Sequence, residues 1–340
     1  MSNMQAIGVK ESLPITNPES LVAFETEVPH PSEDELLVQI KAFSVNPIDT
    51  KIRMGLRQAI KRPRILGFDG VGEVVEVGKA VSDYQVGDQI YYLNSKIKPG
   101  SNAQFQVVDP KMASHVPQSV SLSEAAALPL VSLTAYEALF ERLAIPMHSK
   151  TKQSILILNG AGGVGSMAIQ LAKIAGLNVV ASASRDETRQ WVESMGADAV
   201  INHHHNLVDE CELLGPAAYE FDYVLDLHGL DSHFDEVIEL LAPNGRLCTV
   251  GDGQLTVDSE DFKSKSLSLS FESVFTKSFY KTQNLNSQHQ ALHQIAQWID
   301  NKELKSPLTQ TLTGLTVENI QQAHAVLETR QMIGKLVIEL

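Results

Sequence analysis

Residues 154–165 read SILILNGAGGVG, an apolar run that ends in Gly160-Ala161-Gly162-Gly163-Val164-Gly165. Glycines at this spacing leave room at three points. Gly160 permits a tight turn, Gly162 lets foreign atoms approach the backbone, and Gly165 lets a helix lie close to a strand. A helix that starts here presents the N–H groups of Gly163, Val164 and Gly165, whose partial positive charge suits a pyrophosphate. Val164, Met167, Ala168, Leu171 and Ala175 then form the apolar stripe that holds the helix to a sheet. A purely structural glycine turn is the alternative. The strand pattern before the motif and the helix pattern after it favour a dinucleotide.

The next strand, residues 179–183, ends without a carboxylate and runs into Ser184-Arg185. An acidic side chain there would bind a ribose 2′-hydroxyl, whereas a hydroxyl and a guanidinium suit a 2′-phosphate. The expected cofactor is therefore NADPH, with Arg189 one helical turn further on as a second cation. The competing reading makes Arg185 an exposed charge paired with Asp186 or Glu187.

Around these residues the chain reads as two kinds of structure. The first 120 or so residues carry short strands separated by turns, such as residues 36–40, 70–77 and 86–91, which predicts a β-rich, barrel-like domain. A helix begins at residues 123–128 with Ser123 as its N-cap. From Ser154 strands and helices alternate, with strands at 155–158, 179–183, 200–201, 223–225 and 247–250, which predicts a parallel sheet covered by helices. Two amphipathic helices (290–299 and 317–327) and a strand (335–338) close the chain.

Bulk properties narrow the function. A chain of 340 residues has room for two domains, and its 43% hydrophobic content fits a folded protein. The net charge of −14 argues against nucleic acid or anionic lipid as a partner. Cys211 and Cys248 read as thiols in a reducing compartment. No signal peptide and no membrane span is legible, so the cytoplasm is the expected location.

The chain resembles the quinone oxidoreductase branch of the medium-chain dehydrogenases, specifically the bacterial zinc-type alcohol dehydrogenase-like proteins. The resemblance rests on SVNPIDTK (44–51), LGFDGVGEVVEVG (66–78), VGDQIYY (86–92), GSNAQFQVVD (100–109), AAALPLVSLTAYEALF (125–140), NGAGGVGS (159–166), MGADAVINH (195–203) and IGKLVIEL (333–340). It implies an α/β protein in which a GroES-like β-rich catalytic domain (1–124 and 276–340) is interrupted by a Rossmann doubly wound parallel-sheet domain (125–275). It also implies a homodimer built on the last Rossmann strand, residues 266–271, where Leu267, Leu269 and Phe271 alternate. Thr134 is implied as a contact of the cofactor's carboxamide and His203 as a residue near its adenosine.

In zinc-dependent relatives three side chains hold the catalytic metal, and the matching positions here are Asn46, Phe68 and Leu130. Phenylalanine and leucine cannot bind zinc, and a neutral amide is a poor ligand. Residues 93–101 lack the cysteines of a structural zinc lobe. His203-His204-His205 is the rival metal site, but three successive histidines in a strand cannot all face one ion, so the reading is a histidine-bearing loop and no metal.

Without a Lewis acid, hydride transfer suits acceptors that are already electrophilic, quinones or enones and enals. The resemblance turns residues 46–51 toward the nicotinamide. Asn46 is then a candidate donor to the acceptor oxygen or to the cofactor's carboxamide, Lys51 a candidate to stabilise the developing charge of an enolate or hydroquinone anion, and Asp49 the residue that positions Lys51. The plainer readings are a turn former before Pro47 and a solvated Asp49–Lys51 pair. The expectation is an NADPH-dependent quinone reductase. An enone or enal double-bond reductase, a zinc alcohol dehydrogenase and a non-catalytic NADPH-binding protein are the alternatives.

Overall fold

Turn residues at Pro14, Asn17, Pro29, Pro31, Gly55, Gly67, Gly78, Gly87 and Gly100 punctuate the N-terminal strands. In chain order the elements are β1 (Asn3–Val9), β2 (Val22–Glu27), β3 (Leu36–Val45), α1 (Pro47–Met54), β4 (Arg64–Ile65), β5 (Asp69–Val77), β6 (Gln89–Leu93), β7 (Phe105–Val108), β8 (Ala113–His115), α2 (Leu122–Ala126) and α3 (Pro129–Tyr136), the last running on into a π-helical segment, Glu137–Arg142. The cap of α2 corrects the expectation. Ser121 is the N-cap and Glu124 reaches back to it, completing a capping box, while Ser123 lies buried inside the helix.

The alternation from Ser154 gives β9 (Ser154–Leu158), α4 (Gly163–Ile174), β10 (Asn178–Ser182), α5 (Asp186–Ser194), β11 (Ala199–Ile201), α6 (Leu207–Leu213), β12 (Phe221–Asp226), α7 (Phe234–Leu240), β13 (Leu241–Thr249), α8 (Ser259–Lys265) and β14 (Ser268–Phe271). The six strands form one parallel sheet in the order β11-β10-β9-β12-β13-β14. This is a doubly wound sheet whose order reverses beside β9, so its ligand crevice lies at the carboxyl end of that strand. Leu156, Val180, Val224 and Leu247, one from each of four neighbouring strands, share a buried core with Phe221 and Leu240. β14 is the edge. Leu267 and Leu269 pack on the core, but Phe271 is 64% exposed.

The chain then returns with α9 (Thr276–Tyr280), α10 (Ser287–Asp300), β15 (Leu308–Thr313), α11 (Val317–Glu328) and β16 (Lys335–Glu339). These residues complete the N-terminal sheet, ordered β15-β16-β3-β5-β6-β8 with β7 also paired to β3, beside a three-stranded sheet β2-β1-β4. β16 runs antiparallel to β3, with Leu336 opposite Val45. Phe43, Val45, Leu336 and Ile338 bury that junction against Ile320 of α11.

This computed structural model describes residues 2–147, 153–215 and 220–340. The chain divides into two units, residues 1–130 with 275–340 and residues 131–274. The first junction falls after Leu130 instead of after residue 124, because α2 packs on β3, β5 and β16 of the first unit. Among the described residues no helix is long and apolar enough to cross a membrane.

Candidate functional site

The glycine turn lies at the carboxyl end of β9, where the sheet order reverses. It is tied to β10 by Asn159 N, which donates to Ser182 Oγ at 2.8 Å, and by Gly160 N, which donates to the Ser182 carbonyl at 3.0 Å. Two of the glycines are explained by what a Cβ would meet. At Gly165 it would stand 2.5 Å from the Gly160 carbonyl oxygen, so only glycine lets α4 come this close to the strand end. At Gly162, the N-cap of α4, it would meet nothing within 4 Å. That open space is where a phosphate could approach backbone. The first helical bonds include Ser166 N to Gly162 O at 2.8 Å, which leaves the N–H groups of Gly163, Val164 and Gly165 directed out of the helix end. No acidic residue stands in that first turn. The helix is more deeply embedded than a single stripe requires, since every residue from Gly165 to Ala172 is buried. The Ser166 hydroxyl donates to the Gly162 carbonyl and accepts the Trp191 indole N–H, each at 2.8 Å.

Ser184 and Arg185 follow β10, half-buried and exposed respectively, and Arg185 is the N-cap residue of α5. Arg189 donates to the Val200 carbonyl at 3.2 Å and so braces β11. His203 stands just beyond β11. Burial, and then the neighbouring His204, His228 and His233, push its imidazole down to about 4, so it is neutral at pH 7, and its Nδ1 has no hydrogen-bond partner. Thr134 is buried on α3. The turn, Ser184, Arg185 and His203 thus cluster at the carboxyl ends of β9, β10 and β11. Among the described residues no group of three or more His, Cys, Asp or Glu side chains is arranged to hold a metal ion.

The first unit holds a second concentration of polar groups, and it is closed. Asn46 caps α1, Pro47 takes the first helical position, and Asp49 reaches back to accept from Asn46 N at 2.9 Å. The other Asp49 oxygen accepts from Gly67 N at 2.9 Å. The Asn46 amide nitrogen donates to Asp69 Oδ2 at 2.9 Å, and its carbonyl oxygen accepts from Lys335 Nζ at 2.6 Å. Asp69 also accepts from the Ser44 hydroxyl and, at 2.6 Å, from Leu130 N. Asn46, Asp49, Asp69 and Lys335 are each at most 4% exposed. Loss of solvent raises the carboxyls of Asp49 and Asp69 above the ordinary carboxylate range and lowers the Lys335 ammonium, although their mutual attraction opposes both shifts.

This geometry changes the setting of two expected site residues. The Asn46 amide N–H groups are directed to Asp69 and Ser44 inside the unit, so donation to an acceptor oxygen would have to draw on a group already bonded. Asp49 does not position Lys51 as expected. Its carboxylate is spent on two backbone N–H groups, and the ammonium acting on it is that of Lys335. Lys51 stands exposed on α1.

Comparison with known proteins follows the same two-part division. The alcohol dehydrogenase GroES-like domain family matches residues 32–118, and the zinc-binding dehydrogenase family matches residues 163–295. A zinc-type alcohol dehydrogenase-like protein of Staphylococcus aureus (strain COL) is 37% identical over 340 residues, covering 99% of this chain and 100% of that protein. The chain belongs to the medium-chain dehydrogenase/reductase superfamily. Another relative of this medium-chain oxidoreductase, the chloroplastic NADPH-dependent alkenal/one oxidoreductase of Arabidopsis thaliana, is 30% identical over 92% of this chain and 73% of its own length. Among solved structures, a protein of Rhizobium etli CFN 42 named as a zinc-dependent alcohol dehydrogenase matches with a TM-score of 0.94 at 37% identity, over 100% of this chain and 99% of that one. Escherichia coli quinone oxidoreductase, complexed with NADPH, matches with a TM-score of 0.82 at 26% identity over 99% and 100% of the two chains.

The zinc in several of these names does not fit the residues of this medium-chain dehydrogenase. Asn46 has its amide bound at both ends. Phe68 is buried edge-on against Phe275 with ring centroids 5.1 Å apart, and Leu130 has a hydrocarbon side chain and a backbone N–H bound to Asp69. Two hydrocarbon side chains and one occupied amide make no ligand set. The cofactor cradle does fit, because the open space at Gly162 and the helix end behind it are what a pyrophosphate requires.

Lys335 and Ser44 were not among the candidate site residues. The signal for Lys335 was a charged residue heading the apolar run Leu336-Val337-Ile338, which closes in an exposed Glu339. A lysine beside a buried strand needs a buried partner, and the partner is some 290 residues away in sequence.

Proposed function

We propose that this chain is a zinc-independent, NADPH-dependent reductase of quinones or other carbonyl-conjugated acceptors. The observation that carries the reading is the contrast at its two polar centres. The glycine cradle is intact, while the positions that hold metal in zinc-dependent relatives are filled by Phe68, Leu130 and an Asn46 that is fully bonded. Bound NADPH would supply the hydride. Gly160, Gly162, Gly163, Val164 and Gly165 would seat its pyrophosphate, Ser184 and Arg185 its 2′-phosphate, His203 would lie near the adenosine, and Thr134 would meet the carboxamide.

The acceptor must then be able to take a hydride unaided by a metal. In a quinone the negative charge passes to an oxygen conjugated through the ring, and in an enone to the enolate oxygen. Lys51, exposed on α1, is the side chain proposed to stabilise that oxygen, with the balancing proton drawn from water. The relatives named for quinone and for alkenal/one reduction support this acceptor class. Carbon–carbon double-bond reduction is the second reading, favoured by the Arabidopsis relative. The exposed edge of β14, with Phe271 outward, supports a homodimer through that strand, and the buried free thiols Cys211 and Cys248 accord with the cytoplasm.

The test is a side-by-side assay of NADPH oxidation with a simple quinone and with an unsubstituted enone, set against NADP⁺ reduction by a primary alcohol. Faster turnover of either conjugated acceptor than of the alcohol is expected. Alcohol oxidation as the dominant activity would refute the proposal.

A further inference from the structure

The polar cluster of the first unit joins residues of β3, α1, β5 and β16. Antiparallel pairing of Leu336 with Val45 sets the preceding residue, Lys335, beside Asn46. Its Nζ donates to the Val45 carbonyl at 2.9 Å and to Asn46 Oδ1 at 2.6 Å. Asn46 carries the contact onward through its amide nitrogen to Asp69, which in turn binds Ser44 and Leu130 N. Asp49, on the far side of Asn46, fixes the start of α1 and the Gly67 backbone. Two buried carboxyl groups and one buried ammonium therefore meet around Asn46, with Asp69 and Lys335 on its carboxamide and Asp49 on its backbone N–H, and the ammonium comes from β16.

A buried carboxylate pair without a cation would be strongly unfavourable. The hydrogen bonds from Ser44, Asn46, Gly67 and Leu130 supply dipoles but no net charge. Lys335 brings an ammonium to this place, where it favours the charged form of both carboxyls against the burial that raises them.

We propose that Lys335 is a positioning residue, the built-in cation that holds the Val45-Asn46-Pro47 corner and so fixes the start of α1. Its ammonium orients the Asn46 carboxamide, whose nitrogen is then turned toward Asp69 and Ser44. α1 carries Lys51, so the effect on turnover rests on the reductase reading above, whereas the effect on structure does not.

The experiment compares Lys335→Met, Lys335→Arg and Lys335→Ala by thermal unfolding and by quinone-dependent NADPH oxidation. n-Propylammonium, which replaces the atoms removed in Lys335→Ala, is added to that variant, with n-propanol as the uncharged control. Lys335→Met is expected to lower the melting temperature by about 5 °C or more. It should lower kcat by about tenfold or more, with KM for NADPH within about twofold of the native value. Lys335→Arg keeps the charge and should retain most of both properties. n-Propylammonium should raise the melting temperature and kcat of Lys335→Ala, and n-propanol should not. A Lys335→Met protein that cannot be recovered folded, beside a folded Lys335→Arg, also supports the proposal. Native melting temperature and kcat in Lys335→Met, or equal rescue by n-propanol, would overturn it. Should the native protein reduce no quinone, the reductase reading fails, and the unfolding measurements still decide the role of Lys335.

Discussion

At Gly162 an added Cβ would meet nothing within 4 Å, whereas at Asp69 both carboxylate oxygens already accept hydrogen bonds. The two polar centres of the molecule thus handle charge in opposite ways. The glycine turn is built from backbone and missing side chains, and it leaves open space at Gly162. The Asn46 cluster is built from side chains that satisfy one another, and it excludes water. The first arrangement is prepared for a ligand. The second has bonded its own polar groups to one another, the side chains at positions 46 and 49 among them.

The largest test of this contrast is Asp69→Ala. It strips an acceptor from Ser44, Asn46 and Leu130 N and unbalances Lys335, so denaturant unfolding should show a loss of ~3–5 kcal/mol. A loss below ~1 kcal/mol would mean that the cluster is not the closed network described. At the other centre, Gly165→Ala should cost ~2 kcal/mol or more, because its Cβ would press on the Gly160 carbonyl at 2.5 Å. Gly162→Ala should leave stability within ~0.5 kcal/mol and weaken cofactor binding alone. Equal stability losses in the two glycine variants would break the distinction between a packing glycine and an approach glycine.

A third buried polar residue lacks the satisfaction that the Asn46 cluster enjoys. His324 of α11 is fully buried, neither ring nitrogen has a hydrogen-bond partner, and burial together with Arg53 pushes its imidazole down to about 3. The folded state holds this ring neutral while the unfolded chain protonates it near the ordinary histidine value. Its contribution to stability is therefore complete above about pH 6.5 and is lost as pH falls toward 3, by up to ~1.4 kcal/mol per pH unit. His324→Leu should flatten this acid limb by ~2 kcal/mol at about pH 5, measured by unfolding across pH. An unchanged limb would assign the acid sensitivity to other groups. Arg185→Ala should raise KM for NADPH about tenfold, or ~1.4 kcal/mol, and leave KM for NADH unaltered. A parallel rise for both cofactors would remove the 2′-phosphate role from Arg185.

What was legible in the sequence follows the same contrast. The glycine motif occupies consecutive residues between a strand and a helix, so its structure could be read locally, as could the alternation that yields the six-stranded parallel sheet. The cluster draws on residues 44–49, 69, 130 and 335, and no local pattern links them. Only the antiparallel placement of β16 beside β3 brings Lys335 to Asn46. Asn46, Asp49 and Lys51 lie close in sequence and suggested a working trio. Helix geometry instead turned Asp49 inward and left Lys51 exposed. Smaller misplacements have the same origin. Ser121 and Ser123 both suit a helix start, and Glu124, at the third helical position after Ser121, decides between them.

The central claim is that this medium-chain oxidoreductase needs no metal to pass hydride to a conjugated acceptor. The most direct measurement is quinone-dependent NADPH oxidation by protein treated with a strong chelator, with residual metal determined on the same sample. The account predicts undiminished turnover by metal-free protein and no gain on adding zinc. Activity that vanishes with the metal and returns with zinc would contradict it.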